Sequence, residues 1–335
     1  MKVLFVGGTG IISTACVELA ARRGMEVHLL NRGQTPAKLP AGVQCIKANI
    51  QQEAQAAAAI AGMNFDVVAA FFTYTAAEVE RDIRLFAGKT SQYIFISSAS
   101  AYQKPPTHYL ITESSPLHNP FNEYSRNKIA CEERLTAEYR RSGFPMVIVR
   151  PSWTYGDTSI PLTISSLQHP WSVVDRMLKG KPIIIHGDGT NLWTCTHNTD
   201  FAKAFVPLMG DVRALGHAIH ITSDEVLTWN QHYQIVADAV GVKAKFVHVA
   251  SDLLAAFDPR RAEFLQGDWA NSAVFDNSKI KRFVPDYVAT TTFKEGMART
   301  IANFRATERL RTVDPAFDPW CDKVIAAVER ITPRG

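Results

Sequence analysis

Tyr124 and Lys128, four residues apart in NEYSRNK, are the residues best placed by type and spacing to move a proton. On a helix that spacing puts both side chains on one face, one turn apart. An ammonium beside a phenol favours the phenolate and draws its pKa from about 10 towards neutrality, where a general acid/base works. A second segment, FISSASAY at 95–102, offers the hydroxyls of Ser97, Ser98 and Ser100 just beyond an apolar stretch. A serine there would hydrogen-bond a substrate oxygen while Tyr124 exchanges a proton with it. A third segment, VRPSWTYG at 149–156, follows another apolar run. In a chain with nine tyrosines a Tyr-x-x-x-Lys pair alone says little, so the surrounding elements must support the assignment.

Those elements alternate. Short apolar, β-branched stretches at Val3–Val6, Val27–Leu30, Val43–Lys47, Val67–Phe71, Tyr93–Ile96 and Met146–Val149 predict strands covered on both faces. Between them, Ile11, Ile12, Ala15, Cys16, Leu19 and Ala20 form one helical stripe, QEAQAAAAIAG is alanine-rich helix, and Asn122–Arg141 is a long helix ending near Gly143. Such repetition predicts an α/β fold, a Rossmann-type doubly wound parallel sheet, whose sites open at the carboxyl ends of the strands. Ser98 falls on that edge. The pattern changes after Arg150, with more proline and tryptophan. The expected division is a dinucleotide-binding domain at 1–155, rejoined by 190–222, and a smaller substrate-binding lobe at 156–189 and 223–335.

The first strand runs into GGTGIIS at 7–13. A strand that turns sharply into a helix needs glycine, and the helix N-terminus presents free N–H groups to a pyrophosphate. Gly7 and Gly10 take these roles. Ser13 stands where a third glycine is usual, small enough for close packing, with a hydroxyl for a phosphate or for its own helix. After the second strand, LLNRG carries Asn31 and Arg32 where an aspartate would accept from a ribose diol. A guanidinium there suits a 2′-phosphate, which favours NADP over NAD.

Composition excludes several other classes. The net charge of +4 arises from 36 basic and 32 acidic residues without a basic run, so neither nucleic acid nor membrane is expected as a partner. Five scattered cysteines without CxxC fit reduced thiols, and ten histidines show no metal spacing; HAIHIT at 217–222 is better taken as strand. The N-terminal apolar run is too short for a signal peptide, and no stretch reaches the roughly 18 apolar residues of a membrane span. A cytoplasmic protein is expected.

With these segments in hand, the chain resembles the extended short-chain dehydrogenase/reductase family of epimerases and dehydratases. VGGTGIIS, FISSASAY, TESSPLHNPFNEYSRNKIACEE, RPSWTYG, GKPIIIHGDGTNLWTCTHNTDFAKAF and DNSKIKRFVPDY occur in the family's order. The resemblance implies that Ser98, Tyr124 and Lys128 are catalytic, with Lys128 also holding the nicotinamide ribose. It puts Gly7, Gly10, Ile11 and Ile12 on the pyrophosphate loop, Asn49 near the adenine, and Pro151 to Trp153 beside the nicotinamide. It further implies a homodimer through the Asn122–Arg141 helix, where Ile129, Ala130 and Leu135 would serve either the interface or the core. The segment FFTYTAAEVERDIRLFAGKTSQ is shorter than in typical members and is similar to the chloroplast-stem-loop-binding-like branch. Trp193 stands where nucleotide-sugar enzymes often carry an arginine for the diphosphate, leaving Arg150, Lys179, Lys181 and Arg260 as unassigned bases with surface solvation the expected fate. Ala99 and Ser100 replace the Asp-Glu pair of dehydratases, which disfavours dehydration. The leading expectation is an NAD(P)-dependent enzyme acting on a carbinol carbon of a sugar or nucleotide sugar, an epimerase ahead of a dehydrogenase/reductase. The alternatives are a cofactor-binding RNA-associated or regulatory protein, and a catalytically quiet scaffold.

Overall fold

A computed structural model describes residues 1–34, 39–166 and 168–331; the last four residues of the expected lobe lie outside the described residues. Seven strands form one parallel sheet: β1 (Lys2–Val6), β2 (Glu26–Asn31), β3 (Gln44–Lys47), β4 (Phe65–Ala70), β5 (Thr90–Ile96), β6 (Met146–Pro151) and β7 (Ala218–Ile221). Their order across the sheet is β7-β6-β5-β4-β1-β2-β3, so the winding reverses between β1 and β4. A crevice opens at such a reversal, and the glycine loop follows β1 directly into it.

Alternation along the strands explains the two-sided burial. Val3 and Phe5 of β1 and Ile94 and Ile96 of β5 join one apolar cluster, while Leu4, Val6, Tyr93 and Phe95 join the cluster on the opposite face. Helices α1 (Ile11–Arg22) and α6 (Asn198–Leu208) cover the first face. Helices α2 (Glu53–Ala59), α3 (Ala76–Phe86) and α4 (Glu123–Ser142) lie on the second. The short segment after β4 thus holds an 11-residue helix, started by a capping box in which Thr75 accepts from Glu78 N and Glu78 answers at the Thr75 N–H. Leu135 of α4 is fully buried in the monomer's own core, whereas Ile129 and Ala130 are half-buried.

A third apolar cluster, independent of the sheet, is built around α5 (Trp171–Leu178), α7 (Trp229–Val240) and the helices Phe293–Ala306 and Phe317–Ile331. It is tied back to the sheet edge at Gly267. An added Cβ there would come within 2.9 Å of Asn122 Cβ, and Asn119 Nδ2 donates both to Gly267 O and to Ser100 O. Glycine is what permits this approach. At the start of α6 the capping group is His197, whose ring accepts from Thr199 N. Asn198 instead donates to Ile11 O and so ties α6 to the start of α1. No described helix is long and apolar enough to cross a membrane.

Candidate active site

Two cavities adjoin at the carboxyl edge of the sheet. The first, of about 300 Å³, is lined by Gly7, Gly8, Gly10, Asn31, Arg32 and Asn49 among others. Gly7 and Gly8 have φ of +106° and +96°, and a Cβ on Gly8 would sit 2.6 Å from Leu29 Cδ2, so the loop needs glycine for conformation and space alike. Ser13 lines the cavity too, and its hydroxyl accepts from Gly10 N at 2.9 Å, the bond to its own helix, with the O–H still able to donate into the cavity. Asn31 accepts from Gly33 N and Asn49 from Gln51 N, which fixes both turns. No carboxylate lines this cavity among the described residues, and Arg32 is exposed there. Ile11 and Ile12 are not among the lining residues: Ile11 is 41% exposed and Ile12 packs on the core beneath α1. A positive-φ glycine turn, the free N–H groups of a helix start and a guanidinium without a competing acid fit a dinucleotide phosphate chain.

The second cavity, of about 180 Å³, is lined by Ser98, Tyr124, Pro151 and Trp153 from the sheet edge, and by Trp193, Asp268 and Trp269 from the lobe side. Asn122 caps α4 by accepting from Ser125 N, which orients Tyr124 in the first turn. Ser98 follows β5; its hydroxyl hydrogen-bonds Ser100 Oγ at 2.9 Å and lines the same cavity as the Tyr124 phenol, whose pKa it draws down. Ser125 Oγ donates to Ser100 Oγ, so a chain of hydroxyls runs back from Ser98 to the cap.

Lys128 lies beneath both cavities. It is buried, with Nζ donating at 2.7 Å to Thr73 O and at 2.7 Å to Ile96 O. Its ammonium is 5.6 Å from the Tyr124 ring centroid and 4.7 Å from that of Tyr74, which lines the first cavity. Burial lowers the Lys128 pKa to about 8. Tyr124 departs from the sequence-based expectation: the protein packed around the phenol pushes its pKa up to about 12, and the Ser98 hydrogen bond opposes this only in part. Lys128 directs two of its three N–H groups at backbone carbonyls, and burial keeps the phenol of the free protein protonated at neutral pH.

Sequence reasoning did not identify Asp268, Trp269, Phe264 or Phe275, all of which line the second cavity. Asp268 and Trp269 sit in a π-turn, Leu265–Trp269, whose final carbonyl collects three donors: His186 Nε2, Asn191 Nδ2 and Trp229 Nε1 at 2.9, 2.8 and 3.1 Å. The unassigned bases lie elsewhere. Arg150 is buried and paired with Glu132, contrary to the surface fate expected of it, while Lys179, Lys181 and Arg260 pair with Asp175, Asp318 and Asp258. All five cysteines are free, and no metal-binding cluster occurs among the described residues.

Residues 3–222 match the model of the NAD dependent epimerase/dehydratase family. The chain belongs to this family. It is 27% identical over 290 residues to a 2'-dehydrokanamycin reductase from Streptomyces kanamyceticus, covering 86% of this chain and 80% of that one. It is 24% identical over 253 residues to the chloroplast stem-loop binding protein of 41 kDa b from Arabidopsis thaliana, covering 72% of this chain and 63% of the relative. In fold it is similar to the epimerase Mth375 from Methanothermobacter thermautotrophicus, with a TM-score of 0.76 at 16% identity over 92% of this chain and 94% of that one.

Proposed function

We propose that this family member is an NADP-dependent reductase that interconverts a ketone and a carbinol on a sugar, with Tyr124 as the acid/base. The observation that carries the reading is the meeting of Tyr124 and Ser98, from segments 26 residues apart, at one cavity beside the glycine-loop cavity, with Lys128 under both. The nicotinamide coenzyme, when bound, supplies the hydride. Ser98 and Tyr124 both donate to the substrate carbonyl oxygen, and the Tyr124 proton passes to that oxygen as charge develops on it. The phenol is protonated in the free protein, the form that donates to a ketone oxygen, and the same group takes the proton back in the reverse direction. Lys128 orients its side of the pocket through Thr73 O and Ile96 O, and its charge stabilises the phenolate left after transfer.

NADP is favoured because Arg32 lines the first cavity without a carboxylate among the described lining residues. The name of the kanamycin-related reductase, similar over most of both chains, supports reduction of a sugar ketone ahead of epimerisation. Epimerisation is the second reading, supported by the fold likeness to Mth375. The half-buried Ile129 and Ala130 on α4 support a homodimer through that helix. Absorbance of NADPH with a panel of keto sugars tests the proposal: stoichiometric oxidation that is lost in Tyr124→Phe is expected. Redox-neutral turnover with retained coenzyme indicates epimerisation, and full activity in Tyr124→Phe removes the assignment.

A further inference from the structure

The lining of the second cavity carries information about substrate charge. Phe264, Trp269 and Trp153 stack in series, with ring centroids 5.1 and 5.3 Å apart and planes inclined by 17° and 16°. Tyr124, Trp193 and Phe275 complete an aromatic enclosure. Such faces accept the C–H side of a sugar ring and attract cations through their negative quadrupole, whereas they repel anions. Among the described residues Asp268 is the only charged group in the lining. Its counter-ion, Lys104, pairs with Oδ1 at 2.9 Å and lies 5.9 Å from the Trp193 ring centroid, behind the lining and with a side chain 1% exposed, so the carboxylate is the charged group that borders the cavity directly.

Two further observations narrow the ligand. Trp193 Nε1 is buried without a hydrogen-bond partner in a side chain that lines the cavity, a donor suited to a ring oxygen or hydroxyl. The cavity, of about 180 Å³, has room for one sugar ring.

We propose that this cavity selects a glycoside that carries an amine and lacks a diphosphate, the ring packing on the aromatic enclosure, its oxygen accepting from Trp193 and its ammonium facing Asp268. The inference rests on the reading of Tyr124 as acid/base at the same cavity. A diphosphate placed here would meet a carboxylate and ring faces, with no arginine or lysine in the lining to neutralise it.

The test measures binding of methyl glucosaminide, methyl glucoside and UDP-glucose to the full chain saturated with NADP+, by calorimetry. The glucosaminide is expected to bind about tenfold more tightly than the glucoside, the size of one charge-assisted hydrogen bond, and UDP-glucose no more tightly than the glucoside. In Asp268→Asn the amine preference should fall to within about twofold. Because that change leaves Lys104 buried without its partner, the measurement is repeated in Asp268→Asn combined with Lys104→Gln, where the same collapse is expected. Trp193→Phe should weaken both simple glycosides alike. Tighter binding of UDP-glucose, a preference that survives the double substitution, or no binding of the glucosaminide overturns the proposal. If UDP-sugars are turned over in a Tyr124-dependent way, this inference fails while the reductase reading stands; if turnover survives Tyr124→Phe, that reading fails instead.

Discussion

Arg32 gives the sharpest quantitative test of coenzyme choice. It lies in the first cavity beside Asn31, Gly33 and Gln34, exposed to solvent and with no carboxylate in the surrounding lining among the described residues. A guanidinium bonded to a 2′-phosphate is worth about 1.5–3 kcal/mol when the pair is desolvated. Exposure screens the pair, so roughly 1–2 kcal/mol is the reasonable range here, or about a 5- to 30-fold change in affinity. Arg32→Ala should therefore raise the Kd for NADP+ by about tenfold and leave that for NAD+ within about twofold. The loss for NADP+ should also shrink as salt rises, because the removed interaction is Coulombic. Titration of protein fluorescence with each coenzyme at two ionic strengths measures all three effects. Equal losses for both coenzymes, or tighter binding of NAD+ by the unaltered protein, would refute the argument that the 2′-phosphate is what Arg32 meets.

Tyr124→Phe should lower turnover by roughly 10²- to 10⁴-fold while the Kd for NADP+ changes little, which separates proton transfer from coenzyme binding. Gly8→Ala should destabilise the protein by about 2–4 kcal/mol in urea, since φ is +96° and the new methyl would press on Leu29; a loss under about 1 kcal/mol would show that the loop relaxes. Burial holds the Lys128 pKa near 8 against an ordinary 10.5, so the unfolded chain binds more protons between those values and the stability of the unaltered protein, relative to Lys128→Met, should rise with pH across that window by roughly 3 kcal/mol. Urea midpoints between pH 7 and 11 check the sign, and a flat difference would mean the lysine is not desolvated.

What was legible in the sequence follows from how local its causes are. Strand-helix alternation and the glycine loop announce themselves because period, β-branching and positive φ act within a few residues. Ser98, Tyr124 and Trp153 were recognisable because each belongs to a compact segment in the family's order, although only the fold brings them to one cavity. Asp268 and Trp269 were not recognisable: their placement depends on three donors from distant segments meeting one carbonyl, and no spacing rule encodes that. The rise in the Tyr124 pKa was hidden for a related reason. Spacing puts a lysine one turn away, but it cannot show how much protein from distant segments packs around the phenol.

The two carbonyls that hold Lys128 link the sheet to the chemistry. Ile96 ends β5, and Thr73 follows β4 with its hydroxyl donating to the fully buried Asp82, which also accepts from Tyr93 and pairs with Arg81. Lys128 is thus fastened to two adjacent strand ends, and the second of these is anchored on α3 through Asp82. The β4–α3 segment sets one carbonyl under one lysine. Under the proposed reading its contribution is positional: with the ammonium held 4.7 Å from the Tyr74 ring centroid and 5.6 Å from that of Tyr124, the charge that would stabilise a phenolate is in place before any proton moves, so little reorganisation is required during transfer.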